Sequence, residues 1–237
     1  MRYDGAAYHG WQRQENAVTV QQKVEEAVAS LFQQKTAVTG CSRTDAGVHA
    51  NCFRCNFLTE KFIAHDKVIS GLNFYLPEDI AVFDSGEVPE RFNARFDCKG
   101  KEYIYQIYCS SVRNPFYNHR ALFCHHPIDA EMLDREARYY LGTHDFSAFR
   151  AIGSSVTTTV RTVRDARVER AGDLVIFHVQ ADGFLYNMVR IMAGTLLYIA
   201  EGKIEQGAIP SILASKDRTL AGKTLPPEGL YLNQVFY

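Results

Sequence analysis

Residues 40–50, Gly-Cys-Ser-Arg-Thr-Asp-Ala-Gly-Val-His-Ala, place several side chains capable of chemistry in one short stretch. A β-branched run at 36–39 comes before this stretch and an alternating run at 51–58 comes after it, so we predict a loop between two strands. Loops held by a sheet commonly carry catalytic side chains. Asp45 is the residue of this stretch that we select as the strongest candidate for a catalytic role. Arg43 stands two positions before it.

The same stretch has a simpler explanation as an ordinary turn. Asp bonds to nearby backbone N–H groups and Gly accepts positive φ, so Asp45-Ala46-Gly47 is also a common turn sequence. Residue types alone favour an ordinary turn, and the choice between a turn and a catalytic loop depends on the rest of the chain.

A second candidate is an arginine in the most apolar part of the sequence, residues 184–200. This segment is short for a bilayer, which needs about 20 apolar residues, and we predict a buried helix with no membrane contact. A charge on such a helix is costly to bury unless it is paired, so Arg190 needs an anion. Alternatively, Arg190 lies on a polar stripe with Asn187 and reaches solvent.

A third group of candidates begins at the strongly alternating run 101–108, which predicts a strand with Tyr103 and Tyr105 on one face. A phenol can stack on a planar ring and offer a hydroxyl for proton transfer. Both tyrosines are also ordinary strand aromatics, and for Tyr105 we prefer that interpretation. Basic and aromatic residues also interleave over residues 91–105. A run of charges is usually just a solvated face, but this interleaving suits RNA stacking and phosphate contact. The residues that we select as RNA contacts are Arg91, Arg95 and Lys101.

The cysteines test a metal-binding interpretation. Cys52 and Cys55 have C-x-x-C spacing, and His125 and His126 follow Cys124. On the predicted strand, positions i and i+3 face opposite sides, and the sequence has no second C-x-x-C. We therefore predict no metal site. Six scattered cysteines without a secretory signal favour free thiols in the cytoplasm.

Composition sets broad limits on the architecture. A chain of 237 residues, 46% of them apolar, can form one large domain or two small ones with a real core. The net charge of −1 gives no indication of a nucleic-acid partner, although a chain of nearly neutral net charge can still have a local basic cleft. Periodicity predicts helices over 20–33, with Thr19 as N-cap, over 65–75 and from Asp129 to Leu141. It also predicts a loop over 142–149 and strands over 80–83, 157–169, 174–181 and 229–237.

The segment at 43–50, Arg-Thr-Asp-Ala-Gly-Val-His-Ala, resembles the signature of the TruA-type tRNA pseudouridine synthases. The resemblance runs from Tyr3 to Tyr237 and includes the motifs at 10–12 and 142–149 and the Met-Val-Arg that ends at Arg190. It implies an α+β protein of two ferredoxin-like halves, residues 1–97 and 98–237, with the active cleft between them. These halves form a mixed, mainly antiparallel sheet flanked by helices; the β-α-β-β-α-β order of elements in the first half agrees with this expectation.

The resemblance also assigns roles to individual residues. Asp45 would be the nucleophile, Arg43 would contact the flipped nucleotide and neighbouring phosphates, and Tyr103 would be the active-site tyrosine. Arg190 would pair with Asp45 and hold it ionised. The implied activity is isomerisation of uridines 38, 39 and/or 40 in the tRNA anticodon stem-loop, by a cofactor-free homodimer.

The chain departs from the family pattern in a few places. Ser42 stands where the family often has Gly, and Asn93 stands where it usually has His, which puts a substrate contact by that His in doubt. Few residues come before Tyr3, so we expect part of the first strand to be missing. Other function classes remain open: a catalytically silent tRNA-binding or chaperone module, and an unrelated hydrolase with an Asp nucleophile.

Overall fold

The computed structural model describes residues 1–153 and 157–237. Within these residues the protein is α+β, with a mixed, mainly antiparallel sheet flanked by five α-helices, so the predicted fold class is confirmed. Internal contacts divide the chain into two compact units, Met1–Lys99 together with Tyr231–Tyr237, and Gly100–Leu230. The last residues of the chain therefore belong with the first unit.

The first unit is built on short strands. The strands are β1 (Arg2–Tyr3), β2 (Thr39–Gly40), β3 (His49–Ala50), β4 (Cys55–Asn56), β5 (Ile80–Ala81) and β11 (Leu230–Phe236). Its sheet has the order β5-β1-β3-β11, in which β11 runs parallel to β3 and the other neighbours are antiparallel, while β2 and β4 form a separate antiparallel pair.

The helices of this unit lie where the sequence predicted them. Helix α1 spans Val20–Phe32, and the Thr19 hydroxyl accepts a hydrogen bond from the Gln22 amide at 3.4 Å, as an N-cap does. Its buried residues recur at helical spacing, so the apolar face determines its orientation. Helix α2 spans His65–Tyr75.

The predicted strands around the Asp45 loop are only partly correct. The run at 36–39 contributes only Thr39 to a strand, and the continuous strand predicted over 51–58 is wrong. The amides of Asn51 and Cys52 both donate to the carbonyl of Leu232, at 2.9 and 3.3 Å. Two residues of one strand thus face a single residue of its neighbour, which is the pattern of a β-bulge. The bulge ends β3. The chain then pairs with β2 instead.

The second unit contains the long strands. The strands are β6 (Gly100–Cys109), β7 (Leu122–Cys124), β8 (Gly142–Asp145), β9 (Val160–Ala171) and β10 (Leu174–Ala181). Its sheet has the order β8-β9-β10-β6 with antiparallel neighbours, and β7 pairs with β6 in parallel. The helices are α3 (Ala130–Ala137), α4 (Met188–Ala200) and α5 (Ile209–Ser215). Strands β6, β9 and β10 agree with the sequence prediction.

Three predicted boundaries in this unit need correction. Residues 142–145 form strand β8, because the long β9 offers them an edge to pair with. The helix after Asp129 ends at Ala137 and tightens into a 3₁₀ turn over Arg138–Tyr140, a common helix end. Helix α4 begins only at Met188, since Asn187 has φ of +59° and cannot continue a right-handed helix backwards. Within the described residues, no helix has the length and apolarity needed to cross a membrane.

Candidate active site

The Asp45 loop connects β2 to β3 in the first unit, and Asp45 is half-buried at its tip. The Val48 amide donates to the Asp45 carbonyl at 3.2 Å, which closes a turn directly after the candidate nucleophile. Gly47 has φ of +77° in this turn, a backbone conformation that side chains disfavour. An ordinary turn and a catalytic loop are therefore compatible interpretations of this stretch, because the turn can position the Asp45 carboxylate.

The N-terminal segment holds the backbone of the loop on both sides of Asp45. The Trp11 amide donates to the carbonyl of Thr44 at 3.1 Å, and the Gly47 amide donates to the carbonyl of Tyr8 at 3.2 Å. The Thr44 hydroxyl also shares a 2.9 Å hydrogen bond with the hydroxyl of Tyr3. Backbone bonds before and after one residue restrict where its side chain can point.

Aromatic packing also holds the N-terminal segment in place. The Trp11 ring stacks on Phe53 with centroids 4.1 Å apart and is 3% exposed, so Trp11 serves as a packing aromatic. Its indole lies so close to Gly40 that a Cβ there would be 2.5 Å from the ring. The segment 3–11 is thus part of the site's framework, and the motif at 10–12 was the only part of it that the sequence singled out. The sequence feature that could have indicated this role of segment 3–11 is the pair of glycines, Gly5 and Gly10, among aromatic residues.

His49 follows the loop and is 2% exposed. Its Nδ1 lies 3.0 Å from the Gly5 amide and 3.1 Å from Asp4 Oδ1, and its ring stacks on Tyr231 with centroids 4.5 Å apart. These contacts tie β3 to the N-terminal segment and to β11, so His49 has a structural role beside the Asp45 loop.

Arg43 and the other basic candidates of the first unit lie at the surface. Arg43 is exposed on the Asp45 loop, and Arg91 and Arg95 are exposed in the segment before β6. The Arg95 guanidinium lies 5.5 Å from the ring centroid of Phe96, which is 77% exposed. Asn93 has its own local function here, since its side-chain oxygen accepts hydrogen bonds from two following backbone amides, at 3.0 and 3.2 Å.

Tyr103 and Tyr105 differ sharply in their surroundings in the second unit. Tyr103 lies opposite Val179 in the sheet and packs edge-on against Phe184, with centroids 5.1 Å apart. Tyr105 is fully buried, and its hydroxyl donates to the carbonyl of Pro226 at 2.8 Å. Burial raises the pKa of Tyr105 far above its usual value. Tyr105 is a core residue, as we preferred from the sequence.

Arg190 is half-buried near the start of α4 and is held by hydrogen bonds within the second unit. Its Nε donates to the carbonyl of Leu225 at 2.6 Å, and one terminal nitrogen donates to Asn187 Oδ1 at 2.7 Å. Two directional bonds fix the plane of a guanidinium, which then presents its remaining N–H groups in a defined direction. Lys101, also in this unit, is half-buried on β6.

The C-x-x-C cysteines do not form a common site. Cys52 lies in a bend and Cys55 lies on β4, where burial raises the pKa of its thiol to about 11. Over residues 1–153 and 157–237, no three His, Cys, Asp or Glu side chains are grouped in a way that could hold a metal ion.

Comparison with known proteins identifies the class to which this fold and loop belong. A family model described as tRNA pseudouridine synthase matches residues 1–97 and 137–237, which is most of the chain. The chain belongs to the tRNA pseudouridine synthase family. The match covers both the Asp45 loop and the helix that carries Arg190.

Individual relatives extend this match over the whole chain. A protein of Acetivibrio thermocellus named tRNA pseudouridine synthase A is 48% identical, covering 100% of this chain and 97% of the relative. Proteins of the same name from Ruminiclostridium cellulolyticum and Geotalea daltonii are 44% and 42% identical, with the same coverage.

Proposed function

We propose that this protein converts uridine to pseudouridine in the anticodon stem-loop of tRNA, at positions 38, 39 and/or 40, with Asp45 as the nucleophile. Family membership supports the reaction and the substrate class. The observation that carries the role of Asp45 is its place in the loop: a half-buried carboxylate whose neighbouring backbone is bonded on both sides.

The chemistry suits this arrangement. The N-glycosidic bond breaks, the uracil rotates, and a new bond joins its C5 to the ribose, so the product is an isomer of the substrate. Such a reaction is balanced without a redox partner or an energy source, and we propose that it proceeds without metal or cofactor. It needs a nucleophile that bonds transiently to the nucleoside and a base removed from its stack.

Tyr103 is proposed to stack on the uracil and assist proton transfer from C5, and Tyr105 provides a matched control. We expect Tyr103→Phe to lower kcat by about 10²-fold with little change in stability, because a positioned proton-transfer group contributes that much. Tyr105→Phe is expected to lower the free energy of unfolding by about 1 kcal/mol, since its buried hydroxyl bonds Pro226, and to leave kcat unchanged. Single-turnover kinetics and urea unfolding on both variants measure the difference. Equal effects of the two changes on kcat would contradict the proposed role of Tyr103.

Arg190 is proposed to serve the reaction as the cation that favours the ionised form of the nucleophile. A nearby positive charge lowers the pKa of a carboxyl group, so its removal raises that pKa and protonates the nucleophile at higher pH. In Arg190→Gln we therefore expect the acid limb of the kcat/KM profile to move to higher pH by about 1–3 units.

The matched control for this profile is Arg138→Gln. Arg138 is exposed in the same unit and pairs with Asp134 at 2.8 Å. The control should keep the wild-type acid limb. An Arg190→Gln enzyme with a uniformly reduced rate and an unmoved acid limb would show that Arg190 acts in some other way.

The remaining basic candidates are proposed as RNA contacts. Arg43 is proposed to bind the flipped nucleotide and adjacent phosphates, and the sites proposed for flanking RNA are Arg91, Arg95 and Lys101. The exposure of Arg43, Arg91 and Arg95, and the exposed aromatic ring beside Arg95, support this assignment. We also propose that the protein works as a homodimer in the cytoplasm; light scattering on the purified chain measures its mass in solution.

The direct test of the function is tritium release from tRNA labelled at uracil C5, with a chelator present. Formation of the new C–C bond expels the C5 hydrogen, so release reports the isomerisation itself. We expect release by the wild-type chain, and loss of release from transcripts whose uridines 38–40 are replaced. Binding of tRNA without release would indicate the catalytically silent module.

A further inference from the structure

Two cysteines of the second unit occupy paired positions at the end of β6 and β7. Cys109 and Cys124 are direct partners in this parallel ladder, so both side chains leave the same face of the sheet. Neighbouring strands lie about 4.8 Å apart, which falls within the Cα separations that disulfides span. The Ser110 amide donates to the Cys124 carbonyl at 3.1 Å and holds the two strand ends together.

Both thiols are free and interact with each other. The proximity of the two side chains lowers the pKa of the Cys124 thiol and raises the pKa of the Cys109 thiol. The Cys124 thiol donates to the carbonyl of His126 at 3.5 Å, and the Cys109 thiol donates to the carbonyl of Ile107 at 3.9 Å. The lowered pKa makes Cys124 the more readily ionised cysteine of the pair, and the thiolate is the reactive form of cysteine.

The surroundings suit a small reagent. Cys124 is 7% exposed, and Cys109 is more exposed than its partner. Cys41, by contrast, is completely buried in the first unit, and burial raises the pKa of Cys55 to about 11. A cysteine of lowered pKa with a second, partly exposed thiol beside it is the arrangement found at redox-sensitive cysteines.

We propose that Cys109 and Cys124 form a reversible dithiol–disulfide site that reacts with peroxides. The Cys124 thiolate attacks one peroxide oxygen; an S–O bond forms, the O–O bond breaks, and the hydroxide that leaves takes up a proton to give water. The sulfur of Cys109 then attacks Cys124; the S–S bond forms, the S–O bond breaks, and the hydroxyl leaves with the Cys109 proton as a second water. Two thiols lose two electrons, and the peroxide gains them.

The disulfide would close the segment 110–123 into a loop tied at both ends. This segment carries two exposed basic residues, Arg113 and Arg120, and an 84% exposed aromatic, Phe116. A cross-link that closes a loop of this length restricts the unfolded chain, so oxidation should raise the melting temperature, by about 5 °C.

The experiment treats the reduced full-length protein with hydrogen peroxide, alkylates the remaining thiols and maps them by mass spectrometry. We expect a loss of two mass units, two fewer alkylated cysteines and a peptide pair joined through Cys109 and Cys124, all reversed by dithiothreitol. Oxidation should be at least tenfold faster than at Cys98. Failure to form this bond while other cysteines oxidise would overturn the proposal.

Two variants and a second probe test the order of attack and the proximity of the thiols. In Cys109→Ser, Cys124 should form a sulfenic acid that dimedone traps, whereas in Cys124→Ser the reactivity of Cys109 should fall at least tenfold. Equal reactivity in both variants would overturn the assignment of Cys124 as the attacking thiol. Phenylarsine oxide, which binds two adjacent thiols, should protect both cysteines of the wild-type protein from alkylation at one equivalent. Protection of neither would overturn the site without any need for a variant.

Discussion

Replacement of Asp45 by asparagine is expected to reduce tritium release from C5-labelled tRNA by at least about 10⁴-fold, because an amide cannot replace a carboxylate as the nucleophile. Asparagine has nearly the same size and shape, so the loop and its bonds to the N-terminal segment should persist. The affinity for tRNA should therefore stay within about threefold of the wild type, a change below 1 kcal/mol. Single-turnover release and filter binding on the same preparation measure the two quantities.

The matched control for this change is Asp66→Asn. The Asp66 side chain is 75% exposed in the first turn of α2, in the same unit but outside the Asp45 loop. The control should release tritium at the wild-type rate. Release by Asp45→Asn at a comparable rate would mean that another group attacks the nucleoside, and the role proposed for this loop would then be wrong.

Replacement of Gly10 by alanine is expected to give the second-largest effect, on both stability and activity. A Cβ on Gly10 would lie 2.3 Å from the Thr44 carbonyl oxygen and 3.1 Å from the carbonyl carbon of Asp45. Gly10 also has φ of +82°, which strains any residue with a side chain. Strain and overlap together should lower the free energy of unfolding by about 2–4 kcal/mol.

The activity of the Gly10→Ala protein should fall because the added methyl group pushes against the backbone that carries Asp45. A displacement of about 1 Å at a reacting group can cost 10²-fold in rate, and we expect a decrease in kcat of that size. Gly86→Ala is the control, since a Cβ there would have no atom within 4 Å. Urea unfolding and single-turnover kinetics on both variants measure the effects. Wild-type stability and rate in Gly10→Ala would show that the loop tolerates the displacement.

The long elements of this fold could be predicted because each carries its own periodic signal. Helix α1 has apolar residues at helical spacing and an N-cap, and β6 and β10 alternate or remain apolar over many residues. The two-residue strands of the first unit carry no such signal. Strands β3 and β4 exist because β1, β11 and β2 pair with them, so their boundaries depend on partners distant in sequence.

The sequence by itself determined which chemical groups this protein offers: a carboxylate in a glycine-containing loop, a tyrosine on an alternating strand and an arginine in an apolar helix. It also determined the family, because the residues around Asp45 match a specific signature. The tertiary structure alone decided how these groups are held. The backbone on either side of Asp45 is hydrogen-bonded to Tyr8 and Trp11. The Arg190 guanidinium is hydrogen-bonded to Asn187 and Leu225. Most of these bonds use backbone groups, which every residue possesses, so no residue type in the sequence marks them.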